Sequence, residues 1–157
     1  MARKTFNEKL NNSCGLPKIE NITDPKFIQR FGGTKMVIAP PMDYNDIMKS
    51  IPEGKLTTSM EIRDALARRY RGDYTCQMTA GIFINIVANA SKERELQGSK
   101  DLVPYWRTLK KDGEINEKFP DSPDELKIML ELEGHEVMKK GKRFFVKGYQ
   151  EKLEKLK

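Results

Sequence analysis

The sequence predicts an α+β fold, mainly α: a helix-turn-helix, a third helix and a small β-hairpin, preceded by an N-terminal extension. Three observations predict it. Thr58-x-x-Glu61 and Ser122-x-x-Glu125 are capping boxes, the second with Pro123 at the first helical position. The connector Tyr70-Arg71-Gly72-Asp73-Tyr74 separates the first of these helices from another helical stretch. Finally, Glu136–Lys139 and Arg143–Val146 flank Lys140-Gly141-Lys142, the pattern of a hairpin with a lysine-rich tip.

Taken in order, residues 1–35 read as the extension and residues 36–157 as the main domain. Asn7 to Ser13 is polar, and Cys14-Gly15-Leu16-Pro17 is a loop. Asp24-Pro25 starts a short helix that ends at Gly32-Gly33, and its Phe27, Ile28 and Phe31 form a stripe expected to dock on the main domain. Met36–Ala39 reads as a strand stopped by Pro40-Pro41. Asp43 is the expected cap of a helix holding Tyr44, Ile47 and Met48, broken at Ile51-Pro52.

The helix opened by Thr58 presents Ile62, Ala65 and Leu66 on one face. The next helix is expected from near Thr75 towards Gln97-Gly98, with Ile82, Ile86 and Ala90 as its core face. It opens with Cys76-Gln77-Met78-Thr79-Ala80-Gly81, which is small, polar and free of acids. Gly81 costs such a helix about 1 kcal/mol against Ala, which makes sense where something packs close to the backbone. The helix after Ser122 carries Leu126, Met129 and Leu130 and ends at Gly134. A closing helix is expected from Tyr149 to Leu156. Helix-turn-helix, third helix and basic hairpin together describe a winged helix, with the wing reaching for phosphates.

Length and composition bound the function. The chain has 157 residues, 38% hydrophobic and 33% charged, enough for one domain with a core. No apolar run approaches a membrane span, and Met1-Ala2-Arg3-Lys4 lacks an apolar signal core, so a cytoplasmic protein with no membrane partner is expected. Two cysteines far apart and a single histidine, His135, give neither a disulfide framework nor a metal site nor a Ser-His-Asp triad. Net charge is +6, unevenly spread. Residues 110–136 carry four lysines and nine acids, whereas residues 137–157 carry eight cations and two acids. A basic end behind an acidic block fits a polyanionic partner at one place, or a solvated end.

The segment Val103-Pro104-Tyr105-Trp106-Arg107-Thr108-Leu109-Lys110-Lys111-Asp112-Gly113 holds the one Trp of the chain. Two ring faces and a planar guanidinium behind a proline suit a flat ligand such as a nucleobase. The same residues also suit a hydrophobic strand whose rings fill the core and whose Arg binds a carboxylate.

At Pro104-Tyr105-Trp106-Arg107 the chain resembles the DNA-binding domain of the methylated-DNA–protein-cysteine methyltransferases, which repair O6-alkylated guanine. That family carries Pro-Cys-His-Arg, two apolar residues, a short spacer and Asp-Gly, and Pro104, Arg107, Thr108-Leu109 and Asp112-Gly113 fit the frame. Ile51–Thr58, Thr79-Ala80-Gly81 and Leu126–Gly134 match further family segments, so the resemblance spans about residues 43–147. The interval from Asn89 to Val103 is longer than the family's. The acceptor Cys is replaced by Tyr105 and its activating His by Trp106. A phenol with a pKa near 10 and no adjacent base is a poor nucleophile, so methyl transfer is not expected and no catalytic residue is assigned. This is similar to the alkyltransferase-like branch, which lacks the acceptor Cys, binds alkylated DNA, flips the lesion and flags it for another repair pathway.

The resemblance implies a lesion pocket of Pro104, Tyr105, Trp106, Arg107 and Ser59. Ser59 falls where the family uses a Tyr near the flipped nucleotide's phosphate. Met78 falls where the family inserts an Arg into the base stack. An apolar wedge also unstacks DNA, though Met78 equally suits a core position. Gln77, Thr79 and Gly81 join Met78 on the DNA-facing helix. Lys139, Lys140, Lys142 and Arg143 are the phosphate ligands of the wing. The expected partners are double-stranded DNA, alkylated, and a downstream repair protein; the protein is expected to be a monomer without cofactor. Two alternatives stay open: a general winged-helix DNA-binding or regulatory protein with Tyr105 and Trp106 in its core, and a methyltransferase with a displaced acceptor such as Cys76.

Overall fold

The fold of residues 3–157, described by a computed structural model, is α+β with a winged helix-turn-helix at its centre. The helices are α1 (Phe6–Leu10), α2 (Pro25–Phe31), α3 (Pro41–Lys49), α4 (Ser59–Arg69), α5 (Gln77–Leu96) and α6 (Pro123–Leu132). The strands are β1 (Lys18–Asn21), β2 (Lys35–Ile38), β3 (Thr57–Thr58), β4 (Tyr74–Thr75), β5 (Thr108–Leu109), β6 (Val137–Lys140) and β7 (Arg143–Val146). They form three small sheets. In the first, β2 lies between antiparallel β1 and parallel β4; the second pairs β3 with β5 in parallel; the third is the antiparallel β6–β7 hairpin. No helix among the described residues is long and apolar enough to cross a membrane.

Both N-caps form, without the return bond from the glutamate side chain to the cap N–H. The Thr58 hydroxyl accepts from Glu61 N–H at 3.2 Å, and Ser122 does the same for Glu125 at 3.2 Å. The α4–α5 connector is tight because Gly72 passes against β2, where a Cβ would collide with the Val37 side chain. Its N–H donates to Ala67 O at 2.9 Å. Ile62 and Leu66 of α4 share one core with Tyr44 and Met48 of α3, Val87 of α5 and Leu130 of α6.

The structure departs from expectation at four places. The polar stretch after Thr5 is helical: its free N–H groups find a partner far away in sequence. Glu93 of α5 accepts from Phe6 N at 2.9 Å and Asn7 N at 3.1 Å. Burial pushes the Glu93 carboxyl up, but these N–H groups outweigh it and hold it below the usual range. Secondly, α3 begins at Pro41 with Pro40 as its cap, because proline fits the first turn where no N–H is needed. Asp43 accepts instead from the Tyr70 hydroxyl, whose pKa burial and that bond push up to about 12. Thirdly, the core face of α5 runs through Ala80, Ile84 and Val87 as well as Ile86 and Ala90, and Ile82 is 52% exposed. Its middle turns are enclosed by α1 and α3, so Ile86, Val87, Ala88 and Ala90 are covered nearly all round. Lastly, the closing helix is only a 3₁₀ turn, Tyr149–Lys152. The chain beyond it pairs with Leu56, which donates to Lys152 O at 2.9 Å and accepts from Glu154 N at 2.8 Å.

The boundary drawn at 35/36 falls at the head of β2, the strand that joins β1 of the extension to β4 of the helix-turn-helix.

Candidate nucleic-acid interface

The first turns of α5 form an exposed ridge. Gln77 and Met78 stand out of the helix, Met78 with 76% of its surface exposed. That rules out the core position open to Met78. A Cβ at Gly81 would meet nothing within 4 Å, so no protein segment accounts for the glycine. Thr79 is half-buried, with its hydroxyl 3.4 Å from Cys76 O. Cys76 caps the helix without a side-chain bond, which leaves the first N–H groups unmet by a cap.

Two hollows flank the ridge. The first is a cavity of about 780 Å³ between α5, Ser59 and Arg63 of α4, and the strand-and-turn segment Thr108–Lys111. Thr108 is 2% exposed and its hydroxyl has no partner; Arg63 Nε is also buried and unpartnered. Asn85, Lys111 and Lys118 give the walls further amide and ammonium groups. The second hollow, about 1070 Å³, is an apolar groove between α5 and the extension, walled by Phe6, Phe27, Phe31, Tyr74, Met78 and Ile82.

Ser59 and the Pro104–Arg107 motif are not gathered into one pocket. Ser59 lines the first cavity, whereas the residues that reach that cavity are Thr108–Lys111, just beyond the motif. Tyr105, in a 3₁₀ turn with Trp106 and Arg107, is 2% exposed and packs edge-on against Trp106 and Phe119. Its hydroxyl donates to buried Asp121, which also pairs with Lys92 Nζ at 3.1 Å. Tyr105 reaches a separate hollow of about 260 Å³ beside Lys92 and Asp121. Trp106 Nε1 donates to Glu133 at 3.1 Å, and Arg107 grips the same carboxylate at 2.7 and 2.9 Å while donating to Ile51 O at 2.7 Å. Arg107 therefore braces Glu133 and the loop after α3 rather than a ligand. The physical reason is local: the motif turns in a 3₁₀ helix, so Tyr105 turns to Asp121 while Trp106 and Arg107 turn to Glu133, instead of the three lining one wall. Burial, followed by the Asp121 hydrogen bond, raises the Tyr105 pKa far above that of a free phenol.

In the hairpin, Lys139, Lys140 and Lys142 are exposed, with Lys139 over the Phe144 ring and Lys140 over Phe145. Arg143 differs. It holds buried Glu114 by two bonds of 2.7 and 2.8 Å, and this keeps the Glu114 carboxyl below the usual range. That pairing removes Arg143 from the set of free phosphate ligands.

The sequence reading did not single out Arg63, Thr108, Lys111 or Lys118, which wall the first cavity. Thr108 and Lys111 lay inside the quoted motif, but only the fold shows that the motif's second half faces the cavity. Among the described residues no group of three or more His, Cys, Asp and Glu is placed to hold a metal.

No family model matches the chain, and no curated protein matches it. Two solved structures from S. pombe are similar in backbone, both at 19% identity over 73% of this chain and 93% of the other. One is Atl1 in complex with damaged DNA containing O6-carboxymethylguanine, with a TM-score of 0.48, and the other is ATL in complex with DNA, with a TM-score of 0.43.

Proposed function

We propose that the chain binds duplex DNA without chemistry on it, laying the first turns of α5 in the minor groove and receiving an extruded, alkylated base. The observation that carries the reading is Met78. A methionine three-quarters exposed, at the start of a helix whose Gly81 leaves the backbone open, is a wedge without a protein partner. Beside it lies the 780 Å³ cavity, with the Asn85 amide and the Lys111 ammonium in its walls. Those groups suit the polar edge of a base taken out of its stack. The exposed Lys139, Lys140 and Lys142 are suited to phosphates. Tyr105 takes no part as an acceptor: a buried phenol bonded to Asp121 is held neutral.

The burial of Tyr105 favours a second reading, a winged-helix DNA binder with no lesion site. Anisotropy titrations with labelled duplexes carrying O6-methylguanine or guanine separate the two. Tighter binding to the lesion, weakened in Met78→Ala and Asn85→Ala, supports the first reading. Equal binding to both duplexes supports the second. Intact mass of the protein after incubation tests the remaining alternative: an added methyl group would make Cys76 or another residue an acceptor.

A further inference from the structure

We propose that the groove between α5 and the N-terminal extension is a second nucleic-acid site, which takes an unpaired stretch of the DNA strand by stacking its bases on Phe27. The aromatic wall is built by α2 and β4. Phe27 and Phe31 lie 4.6 Å apart between ring centroids, and Phe31 stacks on Tyr74 at 5.2 Å and 19°. Phe27 also lies 6.4 Å from Tyr74, so the three rings form a cluster, and Phe27, 39% exposed, offers the part of its ring that a flat partner can reach. The opposite wall is the α5 ridge with Met78 and Ile82.

Charge selects the occupant. Lys9, Arg30 and Lys118 line the groove, and among the described residues no carboxylate does. Arg30 lies over the Phe31 ring at 5.1 Å, which leaves its donors on the rim of the stack. An apolar slot with aromatic faces and cations in its lining fits a ligand that is flat and apolar inside and anionic outside, which describes a nucleotide chain. The amides of Gln77 and Asn85 line both the groove and the 780 Å³ cavity, as do Phe31 and Tyr74. The two hollows therefore meet across α5. A base extruded into the cavity leaves its neighbours unstacked beside Met78, next to the groove. This inference rests on the reading of α5 as the DNA-facing helix.

The test uses the full chain and three labelled probes: a paired duplex, the same duplex with a three-nucleotide unpaired bubble, and single-stranded oligothymidylate. The wild type is expected to prefer the bubble to the paired duplex. Phe27→Ala is expected to lose about tenfold on the bubble and on oligothymidylate, with the paired duplex unaffected, and Phe27→Tyr is expected to restore both. Equal losses of Phe27→Ala on all three probes, or no loss on any, would overturn the proposal. So would a concentration-dependent dimer in sedimentation that Phe27→Ala abolishes while oligonucleotide affinity stays the same, since a second copy would then fill the groove. Binding of oligothymidylate that depends on Phe27, with no binding of the paired duplex, would leave the groove site standing and overturn the reading of α5.

Discussion

Arg107 and Glu133 are joined by a two-pronged ion pair at 2.7 and 2.9 Å, and the Trp106 indole donates to the same carboxylate at 3.1 Å. Residues of the central motif are thus tied to the end of α6, the helix that leads into the hairpin. Both partners are largely removed from solvent, so the loss of either leaves an uncompensated charge. Arg107→Ala and Glu133→Ala are each expected to cost about 3 kcal/mol. The double variant should cost less than the sum of the two. Urea denaturation of the three variants checks this.

The same cluster sets a pH dependence. Burial raises the Glu133 carboxyl, but Arg107 and Trp106 outweigh it and hold the group below its ordinary value. Its contribution is therefore complete above about pH 4.3 and is lost as the pH falls through the lower folded value. His135, two residues on, has its pKa lowered by burial. The folded protein then takes up that proton less readily than the unfolded chain, so stability begins to fall below about pH 6.5. Urea midpoints from pH 8 to pH 3.5 should show two successive losses, and His135→Gln should remove the first.

Tyr105 separates a core role from a pocket role. At 2% exposure and bonded to Asp121, it is expected to lose about 3–5 kcal/mol of stability as Tyr105→Ala. Tyr105→Phe should cost about 1–2 kcal/mol and leave DNA affinity unchanged. Thermal unfolding with parallel anisotropy measures both. A selective loss of lesion binding in Tyr105→Phe would return the residue to the pocket.

Much of the fold was legible because it rests on local chemistry. The N-caps at Thr58 and Ser122 are written in neighbouring residues and form where they were expected, and the hairpin forms one residue tighter, with Lys140 paired to Arg143 and a tip of Gly141-Lys142. What failed depends on distant partners. α1 forms because Glu93 meets its first turn, and Asp43, inside α3 rather than at its cap, serves Tyr70. The motif at Pro104–Arg107 was the clearest signal for a site, yet its side chains serve Asp121, Glu133 and Ile51. Sequence separation says nothing of which half of a turn faces a cavity. Met78, by contrast, was readable as exposed or buried, and the structure places it outside.

The hairpin cations should not behave alike. Lys142 is exposed and makes no salt bridge among the described residues, so Lys142→Ala is expected to weaken binding to every duplex evenly. The slope of log affinity against log salt should shrink by about 0.9. Arg143→Ala breaks the pair with buried Glu114 and should lower stability by about 1–2 kcal/mol with little change in salt slope. Salt titrations and denaturation of the two variants distinguish these outcomes.

Gly113 adopts φ +81°, and a Cβ there would collide with the Tyr149 ring. Gly113→Ala is expected to cost about 2 kcal/mol, measured by urea denaturation, because both the backbone and the ring must shift.

The central claim is that the ridge of α5 recognises DNA with a displaced, alkylated base. The most direct measurement compares the affinity of the wild type and Met78→Ala for duplexes that differ only in O6-methylguanine against guanine. The account predicts a preference for the lesion that Met78→Ala reduces without loss of stability, since Met78 is 76% exposed. Equal affinity of the wild type for the two duplexes would contradict it.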